Sequence, residues 1–448
     1  MAQLVWAQIN DKSGGIMPLQ AKPGDDSRAA KSKLALRVLL TCCVVYLLSF
    51  FLRNSTAIFA PDVQQALGFS TSTIGLLSGG TMAAYGLMQM PSGVLADVFG
   101  GRRVIFWLTV LAGLGSLGFA LSPNQGAAIA SRALIGIGIS VYVPSMAMLA
   151  AYLPAGRYSF GLGLMGACGG VGGILAASPV VLLNAALGWR VAVACSAVIA
   201  FGVALVFFGL TRDANPKDAN PTDANEPLKE PVSMRAIMEG LGTVLRSRRF
   251  WPHCLWQMTA IGVTFMMVSL WWFPYLTDSV GFSPLQAGNM LAVASLTVII
   301  SGPITAWLSD RVFKARRIPL IVCSVLSFIC ALLWVVLADK PLFGLHLLQV
   351  ALFTVGRTGG AILNFTMVRE IFPINLIGTA SGCVNMLYPV WAAVLQVVFG
   401  VMLGALMTRL EPAAAYSAAS WLMVGNLAVA VVCSFLMKET LLKQPLQK

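Results

Sequence analysis

The chain has 448 residues, is 58% hydrophobic and only 10% charged, and carries a formal net charge of +13. Apolar residues concentrated in long runs exclude a water-soluble globular protein. The basic excess does not describe a nucleic-acid face either, since 24 of the 30 Lys and Arg fall on the side of the predicted topology that holds both chain ends.

Residues 1–33 are polar and lack the pattern of a cleavable secretory signal, so they are predicted to form a cytoplasmic tail, with the first span directing insertion. Twelve apolar runs follow, at 34–60, 72–95, 103–121, 126–150, 161–183, 189–210, 250–277, 285–308, 318–338, 342–367, 377–406 and 414–437. Runs of this length predict membrane-spanning helices, because barrel strands need only about ten alternating residues. Arg190, Lys340 and Arg409 fall on the outer side, and the two ends are expected in the cytoplasm.

In the first span, Tyr46, Ser49 and Arg53 share one side. Between spans 1 and 2 stands Gly68-Phe69-Ser70 with Gly75, and the same pattern returns as Gly281-Phe282-Ser283 with Gly288, offset by 213 residues. After span 2 comes Gly93, Asp97, Gly100, Gly101, Arg102 and Arg103, and Asp310 stands 213 residues beyond Asp97 with Arg311, Arg316 and Arg317 near it. A carboxylate at a membrane boundary is costly unless it is paired or set near a helix N-terminus. The glycines allow a turn that returns Arg102 or Arg103 to Asp97, forming a charge latch that holds one conformation. Thr305 and Lys314-Ala315 replace the glycines of the second copy, so the second latch is expected to be the weaker one. A repeat at nearly half the chain length marks a duplicated bundle, an architecture used by transporters.

Span 4 carries Arg132, Gly136 and Gly138, and span 5 a glycine run from Gly161 to Gly173 that predicts close packing between bundles. The one long polar break, 211–249, contains Asp213-Ala214-Asn215-Pro216 and two related repeats and reads as a flexible cytoplasmic linker. Residues 235–250 within it have the pattern of a short amphipathic surface helix. The linker divides the chain into a bundle at 34–210 and a bundle at 250–437, with a second cytoplasmic tail at 438–448.

Span 7 sets Gln257, Ile261, Thr264, Val268, Trp271 and Tyr275 at alternating spacings of four and three, one face of a helix. Trp271, Trp272 and Tyr275 fit either an outer gate or an interfacial aromatic belt. In span 10, Thr354, Arg357, Gly360 and Asn364 share a face; in span 11, Asn385 and Tyr388 face either a cavity or a neighbouring helix. Nine cysteines in predicted spans, with no CxxC pair, read as packing residues. His253 and His346 lie toward opposite membrane faces and cannot share a metal, so no metal site is expected, and no cofactor.

The motif Gly93-x-x-x-Asp97-x-x-Gly100-x-Arg102-Arg103 resembles the loop 2–3 signature of the major facilitator superfamily. Arg132-x-x-x-Gly136-x-Gly138 is similar to that superfamily's helix 4 motif, and the likeness extends over residues 34 to 437. The resemblance implies an all-α membrane protein of twelve helices in two pseudo-symmetric six-helix bundles, with helices 1, 4, 7 and 10 lining a central cavity. Arg53, Arg132 and Arg357 all fall on those four helices. A charged group in hydrocarbon costs at least about 2.5–3.5 kcal/mol and normally faces a polar cavity. Alternatives remain at two of them: Arg53 near the outer end can snorkel, and backbone carbonyls can hold Arg132 in a structural role.

No Asp or Glu lies deep in a predicted span, and a planar guanidinium matches carboxylate or phosphate. The expectation is therefore a secondary transporter for a small organic anion, not an enzyme, working by alternating access in the inner or plasma membrane. Its substrate-binding residues would be Arg53, Arg357, Tyr46, Gln257, Thr264, Asn364, Asn385, Tyr388 and Arg132. Uptake would need proton or sodium symport, or exchange, because one negative charge entering an inside-negative cell costs about 2.3 kcal/mol per 100 mV. Softer similarities, at Arg53, Tyr85 to Gln89 and Glu370 to Asn385, are with uptake branches for organic anions and sugar acids. The alternative is an efflux carrier for drugs or metabolites. The expected surroundings are a lipid bilayer, with no nucleic acid, and the expected assembly is a monomer.

Overall fold

A chain segment in hydrocarbon must satisfy its backbone N–H and C=O groups internally, which an apolar run does by forming a helix. The computed structural model describes residues 25–212 and 234–441, with no strand among the described residues. The Asp213 repeat, most of the linker and the far ends of both tails lie outside the described residues.

Among the described residues the helices make twelve crossings. Helix 1 comprises Asp25–Asn54 and Thr56–Leu67, helix 2 Thr71–Phe99, helix 3 Gly101–Ala120, and helix 4 Gln125–Gly138 with Tyr142–Tyr152. Helix 5 comprises Ala155–Leu175 and Ser178–Leu187, and helix 6 Trp189–Leu210. After a surface helix, Met234–Arg246, come helix 7 (Phe250–Ser279), helix 8 (Pro284–Trp307, continued by Leu308–Phe313) and helix 9 (Arg317–Val336). Helix 10 (Phe343–Ile371), helix 11 (Ile374–Met407) and helix 12 (Pro412–Leu436) complete the second bundle.

Ten crossings qualify as membrane spans by length and apolarity alone, and helices 2 and 10 do not. Both have 29 residues, about 43 Å at 1.5 Å per residue, against a hydrocarbon core of about 30 Å. Their apolarity is diluted by polar side chains they bury: Ser78, Thr81, Gln89 and Ser92 in helix 2, and His346, Gln349, Arg357 and Asn364 in helix 10.

The duplicated turn has one structure in both halves. Gly68 and Gly281 adopt φ of 66° and 84°, a region costly for a side chain with Cβ. Phe69 and Phe282 are buried beside them. Ser70 accepts the Thr73 N–H at 3.1 Å, and Ser283 forms a reciprocal cap with Gln286. The glycine five residues beyond each serine lets one bundle approach the other. A Cβ on Gly75 would stand 2.6 Å from the Gln396 carbonyl oxygen, and one on Gly288 would stand 3.2 Å from Ser178 Cα. Helix 2 thus crosses helix 11, and helix 8 crosses helix 5.

On the face away from the chain ends, Thr56–Leu67 of helix 1 packs against Met267–Pro274 of helix 7, and Ser178 hydrogen-bonds Asn289 at 2.7 Å. The two bundles are closed together there. Toward the chain ends, Tyr142–Tyr152 of helix 4 has no comparable packing against helix 10 or 11 among the described residues.

Helix 7 departs from a regular α-helix. Gln257–Ile261, Met267–Trp271 and Tyr275–Ser279 are π-helical turns, and each residue added to a turn rotates the later face by about 100°. The predicted stripe consequently holds only to Val268. Trp271 donates to the Gln396 carbonyl at 3.2 Å, Trp272 packs on Trp334 with ring centroids 4.9 Å apart, and Tyr275 donates to the Trp334 carbonyl at 2.9 Å. All three are buried in protein, which rules out a lipid-facing aromatic belt.

Candidate functional site

Charge inside an apolar run is the feature that locates the site. Between the bundles lies a chamber of about 220 Å³, walled by helices 1, 5, 7, 8, 10 and 11. Among the described residues its cationic groups are Arg53 and Arg357, each only 1% exposed, and no Asp or Glu lines the wall.

Arg53 touches both bundles. Its guanidinium carbon lies 4.0 Å from the Phe50 ring centroid and 5.2 Å from Tyr85 in the first bundle, and 4.6 Å from Phe265 in the second. Cation–π contacts offset part of the cost of burying it, about 0.5–2 kcal/mol each. Its Nε and Nη2 are buried without hydrogen-bond partners. Arg357 donates from Nη1 to the Ala260 carbonyl, presented by the wide turn Gln257–Ile261. Its Nε and Nη2 also lack partners. Two guanidiniums with open donors and no carboxylate make a site short of negative charge.

Of the other predicted residues, Gln257, Thr264 and Tyr388 line the chamber. Asn364 stands behind the wall, where its amide donates to Gln257 Oε1 at 3.0 Å. Tyr46 packs between Phe50 and Tyr142 at 5.0 and 5.3 Å and is not part of the wall. Half-buried Asn385 is also outside it.

Arg132 is displaced from the expected cavity. It lines a separate void of about 10 Å³ inside the first bundle with Ser55, Ser116 and Ser196, and faces the Phe119 ring at 5.6 Å. Helix 4 contributes nothing to the chamber wall, and the places expected for it are taken by Gly170 and Gly173 of helix 5 and Ala294, Ser295 and Val298 of helix 8. The glycine run splits its roles: Gly169 and Gly172 abut helix 1, while Gly170 and Gly173 abut helix 8. Small residues give no sequence signal of a binding wall, and Phe50, Asn54 and Phe265, which also line it, carry neither charge nor a place in the polar stripe.

The latch copies also exchange their expected strengths. Asp97 is exposed and forms no hydrogen bond or ion pair among the described residues. Gly93 lies against Val143, and Gly100 turns the chain with φ 88°. Arg102 donates from Nε and Nη2 to the Phe208 carbonyl at 3.1 and 2.6 Å and stacks 3.8 Å from the Phe208 ring, while Arg103 is exposed. In the second half, Arg316 pairs with Asp310 and lies 3.4 Å from Glu370. Glu439 accepts the Arg316 and Arg317 N–H groups at 2.9 and 3.0 Å, and Arg317 Nη2 donates to the Phe435 carbonyl at 2.7 Å. Lys314 adopts φ 47°, taking the left-handed role of Gly100, so the lost glycine does not prevent the turn. Partial burial pushes the Glu439 carboxyl up, but bonds from the N–H groups of Arg316, Leu441, Arg317 and Thr440 outweigh it and hold the group below its ordinary value.

Comparison with known proteins agrees with this architecture. Residues 42–396 match the sequence profile of the Major Facilitator Superfamily. The "Probable sulfoacetate transporter" of Cupriavidus necator is 23% identical over 82% of this chain and 86% of its own length. The "Phosphoglycerate transporter protein" of Salmonella typhimurium is 27% identical over 69% of this chain and 70% of its own length, and the "Hexuronate transporter" of Escherichia coli 23% identical over 80% and 84%. Among solved structures, the nucleoside transporter NupG superposes with a TM-score of 0.71 at 12% identity, covering 89% of this chain and 99% of that one. A D-xylose-proton symporter gives 0.70 at 14% identity, covering 92% and 100%.

Proposed function

The chain belongs to the major facilitator superfamily, and from that premise we propose that it takes up a small organic anion by alternating access. It is a multi-pass membrane transporter and not an enzyme. The observation that carries the anion reading is the pair Arg53 and Arg357, buried in the chamber with open N–H donors and no carboxylate beside them. Relatives named for sulfoacetate, phosphoglycerate and hexuronate, all anionic solutes, support it. The chamber, at about 220 Å³, is below the range of about 300–1,000 Å³ usual for drug-sized ligands, which favours a small metabolite.

With both chain ends in the cytoplasm, the form described here is closed to the outside. The Asp97 latch then engages in the opposite, outward-open form, and proton or sodium symport, or anion exchange, drives uptake. The working unit is a monomer of two bundles, 34–210 and 250–437, joined by the linker 211–249.

Counterflow in proteoliposomes tests the reading. Short carboxylates, sulfonates, sugar acids and phosphate esters should exchange across the membrane, whereas neutral sugars and cationic drugs should not. Counterflow confined to apolar cations would replace this reading with that of a drug-efflux carrier.

A further inference from the structure

A buried histidine stands one helical turn from Gln257 of the chamber wall. His253, near the inner end of helix 7, is 2% exposed, and its Nδ1 lies 2.8 Å from Asn364 Oδ1. Asn364 Nδ2 donates to the His253 carbonyl at 3.1 Å and to Gln257 Oε1 at 3.0 Å. Both of those partners can only accept, so the amide orientation of Asn364 is set and its Oδ1 must receive a hydrogen from His253 Nδ1. The hydrogen bonds therefore run in one direction: His253 Nδ1–H to Asn364, Asn364 N–H to Gln257, and the Gln257 amide N–H groups to the chamber that Gln257 lines. With Nδ1 committed as donor, Nε2 is the basic nitrogen. Nε2 makes no hydrogen bond among the described residues.

Helices 10, 11 and 12 and the surface helix pack against this end of helix 7. The titratable groups these elements carry toward this end, among the described residues, are Arg357, exposed Arg369 and Glu370 of helix 10, Cys383 of helix 11, Cys433 of helix 12, and Glu239 and Arg246 of the surface helix. Arg357 donates to Ala260, and Glu370 is engaged by Arg316 and Thr440. Cys383 neighbours Cys254, and Glu239 and Arg246 are exposed. None of these groups hydrogen-bonds His253.

We propose that His253 carries the proton coupled to anion uptake: Nε2 binds it while the anion occupies the chamber and releases it to water on the chain-end side as the anion leaves. The inference rests on the anion reading. Binding makes the ring an imidazolium, whose charge offsets that of the anion and strengthens the polarised chain ending at the Gln257 N–H groups; release restores the neutral Nδ1–H ring.

The test uses the full-length protein in proteoliposomes containing a trapped pH dye, with sulfoacetate, phosphoglycerate and glucuronate as probes in turn. In the wild type, proton entry should accompany anion entry, and an inward gradient of one pH unit should support up to about tenfold accumulation per coupled proton. H253Q should keep counterflow but lose both proton entry and gradient-driven accumulation. N364D places a carboxylate against Nδ1–H and favours the imidazolium, so it should move the pH profile of uptake alkaline by about 1–3 units. Unchanged proton entry in H253Q, or an unmoved profile in N364D, overturns the proposal while the anion reading stands. Absence of wild-type counterflow with all three probes overturns the anion reading and this inference together.

Discussion

Replacing Arg357 with Gln removes a buried charge that donates from Nη1 to the Ala260 carbonyl and faces the Phe353 ring at 5.4 Å, while its Nε and Nη2 have no hydrogen-bond partner among the described residues. Losing one partner of a buried charge-assisted anion contact costs about 2–5 kcal/mol, or roughly 30- to 4,000-fold in apparent affinity. The same change should not destabilise the empty protein, because it deletes a buried cation with no counter-ion. Two assays read these opposite effects. Anion at about one hundred times its Kd should stabilise the wild type by about 2.7 kcal/mol, and at the same concentration the stabilisation should fall to about 0.9 kcal/mol or less in R357Q. Counterflow at fixed anion concentration should collapse, while the ligand-free unfolding temperature holds or rises. R357K should recover only part of the affinity, since an ammonium lacks the planar fork. Transport and thermal shift both unchanged in R357Q would refute the reasoning.

Glycine contacts yield two further outcomes. A Cβ at Gly172 would stand 2.2 Å from the Leu47 carbonyl oxygen, whereas Gly163 has nothing within 4 Å. Gly172→Ala should lower the unfolding temperature through overpacking worth about 1–3 kcal/mol, while Gly163→Ala should be neutral or stabilising by up to about 1 kcal/mol. Gly75→Ala would set its Cβ 2.6 Å from the Gln396 carbonyl oxygen across the closed face, so it should raise thiol labelling of a cysteine placed at Ser178; unchanged labelling would count against this closure. Glu439 supplies a pH dependence. Its folded-state pKa lies below its ordinary 4.5, so its stabilisation is complete above about pH 4.5 and is lost as pH falls through the depressed value. E439Q should flatten that acid limb in a detergent unfolding series.

Much of the architecture is legible because its signals are local. The Gly-Phe-Ser turns are read from three residues, and a lone arginine in an apolar run announces a buried charge. Azimuth is not local, which is why Arg53 and Arg357 reach the chamber and Arg132, carrying the same signal, turns into its own bundle. The π turns of helix 7 follow from hydrogen-bond register, which hydropathy does not encode, so the stripe drawn through Trp271 and Tyr275 leaves the chamber after Val268. The closed second latch depends on Glu439, 123 residues from Arg316, a pairing no spacing rule could reach. Helices 5 and 8 form wall from glycine, alanine, serine and one valine, residues that look like packing in any sequence.

A density map of the protein bound to whichever anion counterflow selects bears most directly on the chamber. The acidic group should lie within hydrogen-bond distance of both the Arg53 and Arg357 guanidiniums, drawing Arg53 away from the Phe265 ring. An anion seated elsewhere, with both guanidiniums unmoved and unliganded, would contradict the account.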